Sequence, residues 1–223
     1  MQLRTIVNGP FRGNAYLIWP DGDSRAILID PGDDPERLLK ALETDSLTLS
    51  LMLATHGHLD HIGAAEPLRL ETGAQVCLPA GDREIVALLP EACRLFGLPE
   101  LPIPQVDHWL EPEEGQLAEA LPQGLPEGLE IIVRPTPGHS PGGTCYQIGE
   151  HIFSGDTLFQ GSVGRVDLPG GHWPTLEASL LRLLQLPDET VVHPGHGPVT
   201  TIGRERKSNP FLLEIGRKEI IDA

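Results

Sequence analysis

Apolar residues arrive in short bursts through the first third of the chain. Leu3 to Val7, Asn14 to Trp19 and Ala26 to Ile29 are apolar or alternating, and Asn8-Gly9-Pro10 and Pro20-Asp21-Gly22-Asp23 separate them. Runs of this length between turn residues predict strands. The third run stops at Asp30-Pro31-Gly32, and the period then changes. Asp34 is placed as an N-cap with Pro35 at the first helical position, and Leu38, Leu39 and Leu42 share one face of the next helix. From Ser46 to Ala54 the chain alternates and then turns wholly apolar, the pattern of a strand entering a core. Ile62 to Thr72 reads as a helix that Pro67 should kink or restart, closing at Gly73.

The middle of the chain is less regular. Gln75 to Leu78 predicts a short strand, and the Pro-rich stretch from Pro90 to Pro104 an ordered, partly helical loop able to wall a cleft. Val106 to Leu110 and Leu129 to Val133 predict strands, and the acidic, Pro- and Gly-rich segment from Glu111 to Gly128 a surface loop or hairpin. Thr144 to Ile148, Ile152 to Phe153 and Thr190 to Val192 are further strands. Pro174 to Gln185 and Asn209 to Ile221 have helical apolar spacing. Phe159 to Arg165 is a Gly-rich loop without the spacing of a phosphate-binding fingerprint. Strands, helix, strand and a His-bearing loop occur twice. This predicts an α/β chain of two similar halves, two sheets face to face with helices outside, in one domain over residues 1–223.

The strand ends carry the candidate chemistry. Thr55-His56-Gly57-His58-Leu59-Asp60-His61 succeeds the fourth strand, and its ligand types are expected on the loop there. His139 stands in Pro137-Gly138-His139-Ser140, Asp156 in Ser154-Gly155-Asp156, and His196 in His193-Pro194-Gly195-His196-Gly197, each after a predicted strand. Five His and two Asp fill two metal positions. His56, His58 and His139 make one, and Asp60, His61 and His196 the other. Asp156, with two carboxylate oxygens, bridges them. A hydroxide shared by the two ions, its pKa lowered by them, is the expected nucleophile. Imidazole and carboxylate ligands suit Zn²⁺, Fe and Mn about equally. Asp30, also just past a strand, orients a ligand from behind or caps a turn. His108 and His193 read as structural or supporting, His172 as a cleft residue or a helix start, and His151 has no assigned role.

Composition narrows the function class. The 223 residues carry a formal charge of −16, which excludes a phosphate-binding surface of the kind nucleic acid needs. Cys77, Cys93 and Cys145 are widely spaced, with no CxxC, so a disulfide framework is not expected and a reducing compartment is. No apolar run approaches the ~20 residues of a membrane helix, and the N-terminus lacks the pattern of a signal peptide. The expectation is a cytoplasmic protein without membrane or nucleic-acid partners.

Taken together, Thr55 to His61, Pro137 to Ser140, Ser154-Gly155-Asp156-Thr157, Pro194-Gly195-His196-Gly197 and Ile29-Asp30-Pro31-Gly32 resemble the motif set of the metallo-β-lactamase superfamily over about residues 3–215. The resemblance implies a four-layer αββα sandwich. It implies two divalent metal ions, zinc foremost with iron or manganese as alternatives, on those seven ligands, with Asp60 also hydrogen-bonding the hydroxide. Asp156 and His61, with the stretches 153–170 and 204–212, are similar to short glyoxalase II-like proteins. That similarity implies hydrolysis of S-D-lactoylglutathione to D-lactate and glutathione, with Asp60 and Asp156 as catalytic residues. The chain departs from typical glyoxalase II in ending at Ala223 without the helical domain that supplies basic glutathione-binding residues. Arg165 stands where a basic substrate-binding residue is expected, and it either holds a substrate carboxylate or pairs with Asp167. A persulfide dioxygenase on one iron held by His56, His139 and Asp156, and hydrolysis of lactones or other esters, are the alternative functions.

Overall fold

The computed structural model describes residues 1–121 and 125–221. Its first sheet has six strands in sequence order: β1 (Gln2–Asn8), β2 (Gly13–Trp19), β3 (Arg25–Ile29), β4 (Thr48–Leu53), β5 (Gln75–Pro79) and β6 (His108–Leu110). The first three are antiparallel neighbours, and β3 to β6 run parallel. The second sheet uses β7 (Gly115–Gln116), β8 (Ile132–Pro135), β9 (Thr144–Ile148), β10 (His151–Gly155), β13 (Val191–Pro194) and β14 (Thr200–Thr201), in the order β14-β13-β10-β9-β8-β7. A small hairpin, β11 (Leu158–Phe159) and β12 (Ser162–Val163), stands apart from both.

The alternation of each strand builds the layers. Ile27 and Ile29 of β3 and Leu51 and Leu53 of β4 meet Val133, Tyr146 and Phe153 of the second sheet. The intervening Ala26, Leu28 and Met52 face outward onto Leu38, Ala41 and Leu42 of α1 (Pro35–Asp45) and Ala65 and Leu68 of α3 (Ala65–Thr72). On the far side, Cys145, Ile152 and Val192 pack against Leu176, Leu180 and Leu183 of α7 (Trp173–Leu183). Strands buried on both faces are what a sheet covered by helices requires. The result is the expected four-layer αββα sandwich. No described helix is long and apolar enough to cross a membrane.

Several boundaries differ from expectation for physical reasons. Asp60 and His61 are not on a loop but on a one-turn helix, α2 (Leu59–Ile62), which buries Leu59 and Ile62. The break before α3 falls at Gly63-Ala64 and not at Pro67, because the Gly32 carbonyl accepts from the Ala64 N–H at 2.6 Å. Pro67 lies in the first turn of α3, where a missing N–H costs little. The Pro-rich segment begins inside α5 (Leu89–Leu95), which follows α4 (Arg83–Ala87). The expected strand at 129–133 starts only at Ile132, where its ladder with β9 begins. Part of the expected loop at 111–128 is β7 and a short α6 (Leu117–Ala120), and residues 122–124 of it lie outside the described residues. The Gly-rich 159–165 segment is the β11–β12 turn, with Gly161 at φ 69°. α8 (Ile202–Ser208), capped by Thr201, was not expected, and it precedes α9 (Pro210–Ile221).

Strands β8, β10 and β13 all point the same way, and their carboxyl ends meet those of β3 and β4 at one rim of the sandwich. A hydrogen bond from Thr144 N to Thr55 O and a bridge between Gly13 and His196 tie the sheets there. Ligand sites in α/β folds form at such a rim.

Candidate metal centre

Four strand ends deliver seven ligand-type side chains to one place. The rings of His56, His58 and His139 stand mutually edge to face, with centroids 4.7 to 4.8 Å apart. His58 Nδ1 and His139 Nε2 face each other at 2.9 Å. Beside them, His196 Nε2 is 3.1 Å and His61 Nε2 3.8 Å from Asp60 Oδ2. Within each of these two triads one ligand atom per residue falls within 4.8 Å of the others. Asp156 lies between them, with Oδ1 at 3.4 Å from His61 Nε2 and Oδ2 at 3.6 Å from His139 Nε2.

A divalent cation fits this arrangement. His56 Nε2, His61 Nε2 and Asp156 Oδ1 are buried and make no hydrogen bond. Leaving such atoms unsatisfied costs about 1–3 kcal/mol each, and here they converge on one point. Burial and the neighbouring imidazoles push His56 far below its usual range and His58 down to about 4. Both rings therefore keep the lone pair that ligation needs. Burial alone would raise the Asp60 and Asp156 carboxyls, but His61 and the adjacent imidazoles outweigh it and hold both ionised. Burial would depress His61, yet Asp30, Asp156 and Asp60 push it well up. The three cysteines are buried elsewhere and take no part.

The ligand types are held from behind. Asp30, at φ 52° past β3, accepts from Thr55 N and Thr55 Oγ1 and lies 3.0 Å from His61 Nδ1. The Arg165 carbonyl receives His139 Nδ1–H at 2.7 Å, and Thr55 Oγ1 lies 3.1 Å from His56 Nδ1. The Asn14 amide and Tyr16 hydroxyl donate to the Pro194 carbonyl, two residues before His196. Gly195 lets the backbone come this close, since a Cβ there would fall 2.3 Å from Asp156 Oδ1.

The centre opens on a cavity of about 390 Å³. Phe11, Ile85, Leu89, Phe96, Phe159 and Leu168 are part of its apolar wall, and Arg165 is the one Lys or Arg among the described residues of its lining. The Arg165 guanidinium is exposed and paired bidentately with Asp167, both contacts at 2.6 Å. The other histidines fall outside the cluster. His172 caps α7, with Nδ1 2.7 Å from Thr175 Oγ1. His193 stacks on Phe153 and faces His151 Nδ1 at 2.9 Å, and His108 lies in β6.

Sequence reasoning missed Asp82, which is fully buried. Its Oδ2 accepts from Gly57 N and Ser140 Oγ at 2.8 Å, and its Oδ1 from Gly142 N at 2.6 Å. The available signal was position, because Asp82 follows the end of β5 just as Asp30 follows β3. Phe11 was also missed as a cleft residue, whereas Phe96 lies in the Pro-rich segment expected to wall one.

Comparison with known proteins shows the family of the chain. The Metallo-beta-lactamase superfamily profile matches residues 8–196. A Haemophilus influenzae protein named hydroxyacylglutathione hydrolase GloC is 38% identical over 216 residues, covering 95% of this chain and 98% of its own. Among solved structures, BLEG-1 B3 metallo-beta-lactamase superimposes with a TM-score of 0.84 at 39% identity, covering 95% of this chain and 99% of that one. TTHA1623 in a di-iron-bound form does so with a TM-score of 0.83 at 42% identity, covering 94% and 100%. The chain belongs to the metallo-β-lactamase superfamily and within it is similar to the short glyoxalase II-like proteins.

Proposed function

We propose that this metal-dependent hydrolase cleaves a thioester, S-D-lactoylglutathione, to D-lactate and glutathione. The observation that carries the reading is the convergence of buried ligand atoms without hydrogen-bond partners from two triads, with the Asp156 carboxylate between them. His56, His58 and His139 would hold one ion, Asp60, His61 and His196 the other, and Asp156 would reach both. Bound there, two divalent ions, zinc foremost, supply a water acidic enough to attack at neutral pH and polarise the carbonyl it attacks. Asp60, kept ionised by its imidazole neighbours, would accept a hydrogen bond from the attacking water at a carboxylate oxygen and orient it. Asp30 keeps the His61 ring in one orientation throughout. The apolar wall excludes bulk water from the reacting carbonyl, and Arg165 is the group available to a substrate carboxylate.

The same wall favours a second reading, hydrolysis of esters or lactones with an apolar body. Nine apolar residues line the cavity against one guanidinium that already has an anionic partner.

The deciding measurement is thioester loss from S-D-lactoylglutathione by purified protein, with metal counted on the same sample. Turnover with about two metals per chain, abolished in His58→Ala, supports the first reading. Two metals without turnover discard the substrate and move the choice to apolar esters. About one iron per chain without turnover points to persulfide oxidation.

A further inference from the structure

Asp82 has no place in the proposed hydrolysis, yet it is buried to 0% exposure, where an Asp is almost never found unless its carboxyl oxygens are partnered. Its three hydrogen bonds go to two loops that are distant in sequence. Gly57 lies between His56 and His58, and Ser140 follows His139. The backbone carrying all three imidazoles of one triad is therefore fastened to a single carboxylate. Close approach is built in. A Cβ at Gly142 would fall 2.7 Å from Asp82 Cγ, one at Gly57 2.9 Å from Val86 Cγ2 and 3.0 Å from Asp82 Cβ, and one at Gly81 2.9 Å from Gly142 backbone. The other triad has anchors of its own, Asp30 directly on His61 and Asn14 and Tyr16 on the His196 loop, while Asp30 reaches His56 only through the Thr55 hydroxyl.

We infer that Asp82 is the positioning residue of the three-histidine centre, fixing the His56-Gly57-His58 and His139-Ser140 backbones so that this centre, and not its neighbour, binds metal tightly. The inference rests on the proposed metal reading. It requires acceptors at both carboxylate oxygens, because donors approach each: Gly57 N–H and Ser140 O–H at one, Gly142 N–H at the other. An asparagine has one acceptor oxygen, so its amide N–H₂ must confront at least one of these donors. Burial raises the Asp82 carboxyl, against the pull of those same donors.

The test is zinc affinity measured by competition with a chromophoric chelator, which needs no substrate. Wild type, Asp82→Asn, Ser140→Ala, His58→Ala and the double variant Asp82→Asn/His58→Ala are compared, each with its chelator-treated thermal midpoint. Wild type is expected to bind two zinc ions. In Asp82→Asn one of them should weaken about 10–100-fold, while the other, coupled to it through Asp156, should weaken by a clearly smaller factor. Ser140→Ala, which removes one donor and folds more readily, should weaken the same ion by a smaller factor. In the His58→Ala background, where the three-histidine centre is already lost, adding Asp82→Asn should leave the remaining affinity unchanged. Equal weakening of both ions, or a lowered thermal midpoint with both affinities intact, overturns the inference and leaves the metal reading standing. Failure of wild type to bind zinc overturns both.

Discussion

His61 Nδ1 and Asp30 Oδ2 lie 3.0 Å apart, and both side chains are almost wholly buried. The contact decides which face of the imidazole is used. With Nδ1–H donated to Asp30, the ring must present Nε2 toward Asp60 and Asp156. The parallel pairing of β3 and β4 creates the contact by placing the residues after the two strands side by side. Asp30 also accepts from the Thr55 N–H and hydroxyl, so three donors surround it. Asp30→Asn turns an amide N–H toward one of them. The expected outcome is about 10–100-fold weaker zinc binding at the Asp60, His61 and His196 triad, with a smaller loss at the three-histidine centre, which Asp30 reaches only through Thr55, so the larger effect falls on the opposite ion to that in Asp82→Asn. A chelator-competition titration of the two variants side by side checks it.

Arg165 and Asp167 form a closed pair at the edge of the cavity. The guanidinium holds the Asp167 carboxyl down at about 2, so the pair is intact at any physiological pH. A substrate carboxylate must therefore compete with Asp167. Arg165→Ala is expected to raise KM for S-D-lactoylglutathione about tenfold with kcat little changed. A thioester lacking carboxylates should be unaffected. Asp167→Asn should act in the reverse direction, lowering KM for the anionic substrate, because it releases the guanidinium. Steady-state kinetics on the charged and uncharged thioesters separate these outcomes. A KM that stays level in both variants removes Arg165 from substrate binding.

The strand ends were legible because each motif follows an apolar run that only a buried strand explains, and Pro or Gly beside the ligand type marks the turn. His139, Asp156 and His196 come together in space on that basis. The helical turn under Asp60 and His61 was not legible, since four residues are too few to show a 3.6 period. Asp82 was hidden by its neighbours. In Ala80-Gly81-Asp82-Arg83-Glu84 a charged residue looks solvated, and its burial arises from Gly57 and Gly142, far away in the chain. The apolar cleft was half visible. The Pro-rich segment was expected to wall it, but the contact of Phe96 with Phe11 depends on a turn between β1 and β2 that no local pattern places there.

Phe11 and Phe96 meet edge to face, with centroids 5.4 Å apart and planes at 82°, and both remain more than a third exposed. Such a pair contributes about 0.5–1.5 kcal/mol beyond the area it buries, and here it shapes a wall of the cavity. Phe96→Ala removes apolar contact that ground and transition states share equally. KM should rise about 2–10-fold with kcat held, and the increase should grow with the apolar area of the substrate. A series of thioesters of increasing acyl length measures this. An equal effect on every member of the series would show that the pair supports the fold and does not touch the substrate.

His193 tests the fold apart from the metal. It is buried against Phe153 and faces His151, and burial followed by that neighbour pushes it down to about 4. An unfolded histidine titrates near 6.5. Between these values the unfolded chain takes a proton that the folded chain refuses, so stability must fall as pH drops from about 6.5 toward 4. For this one group the loss between pH 7 and pH 4.5 is about 2 kcal/mol. His193→Leu keeps an apolar partner for Phe153 and removes the titration. Urea unfolding with chelator present at both pH values should therefore show wild type losing about 2 kcal/mol more than the variant on acidification. The histidines of the metal cluster are common to both proteins and cancel in the comparison. Equal losses in the two proteins would mean that His193 can be protonated within the fold, with His151 moving aside to admit the charge.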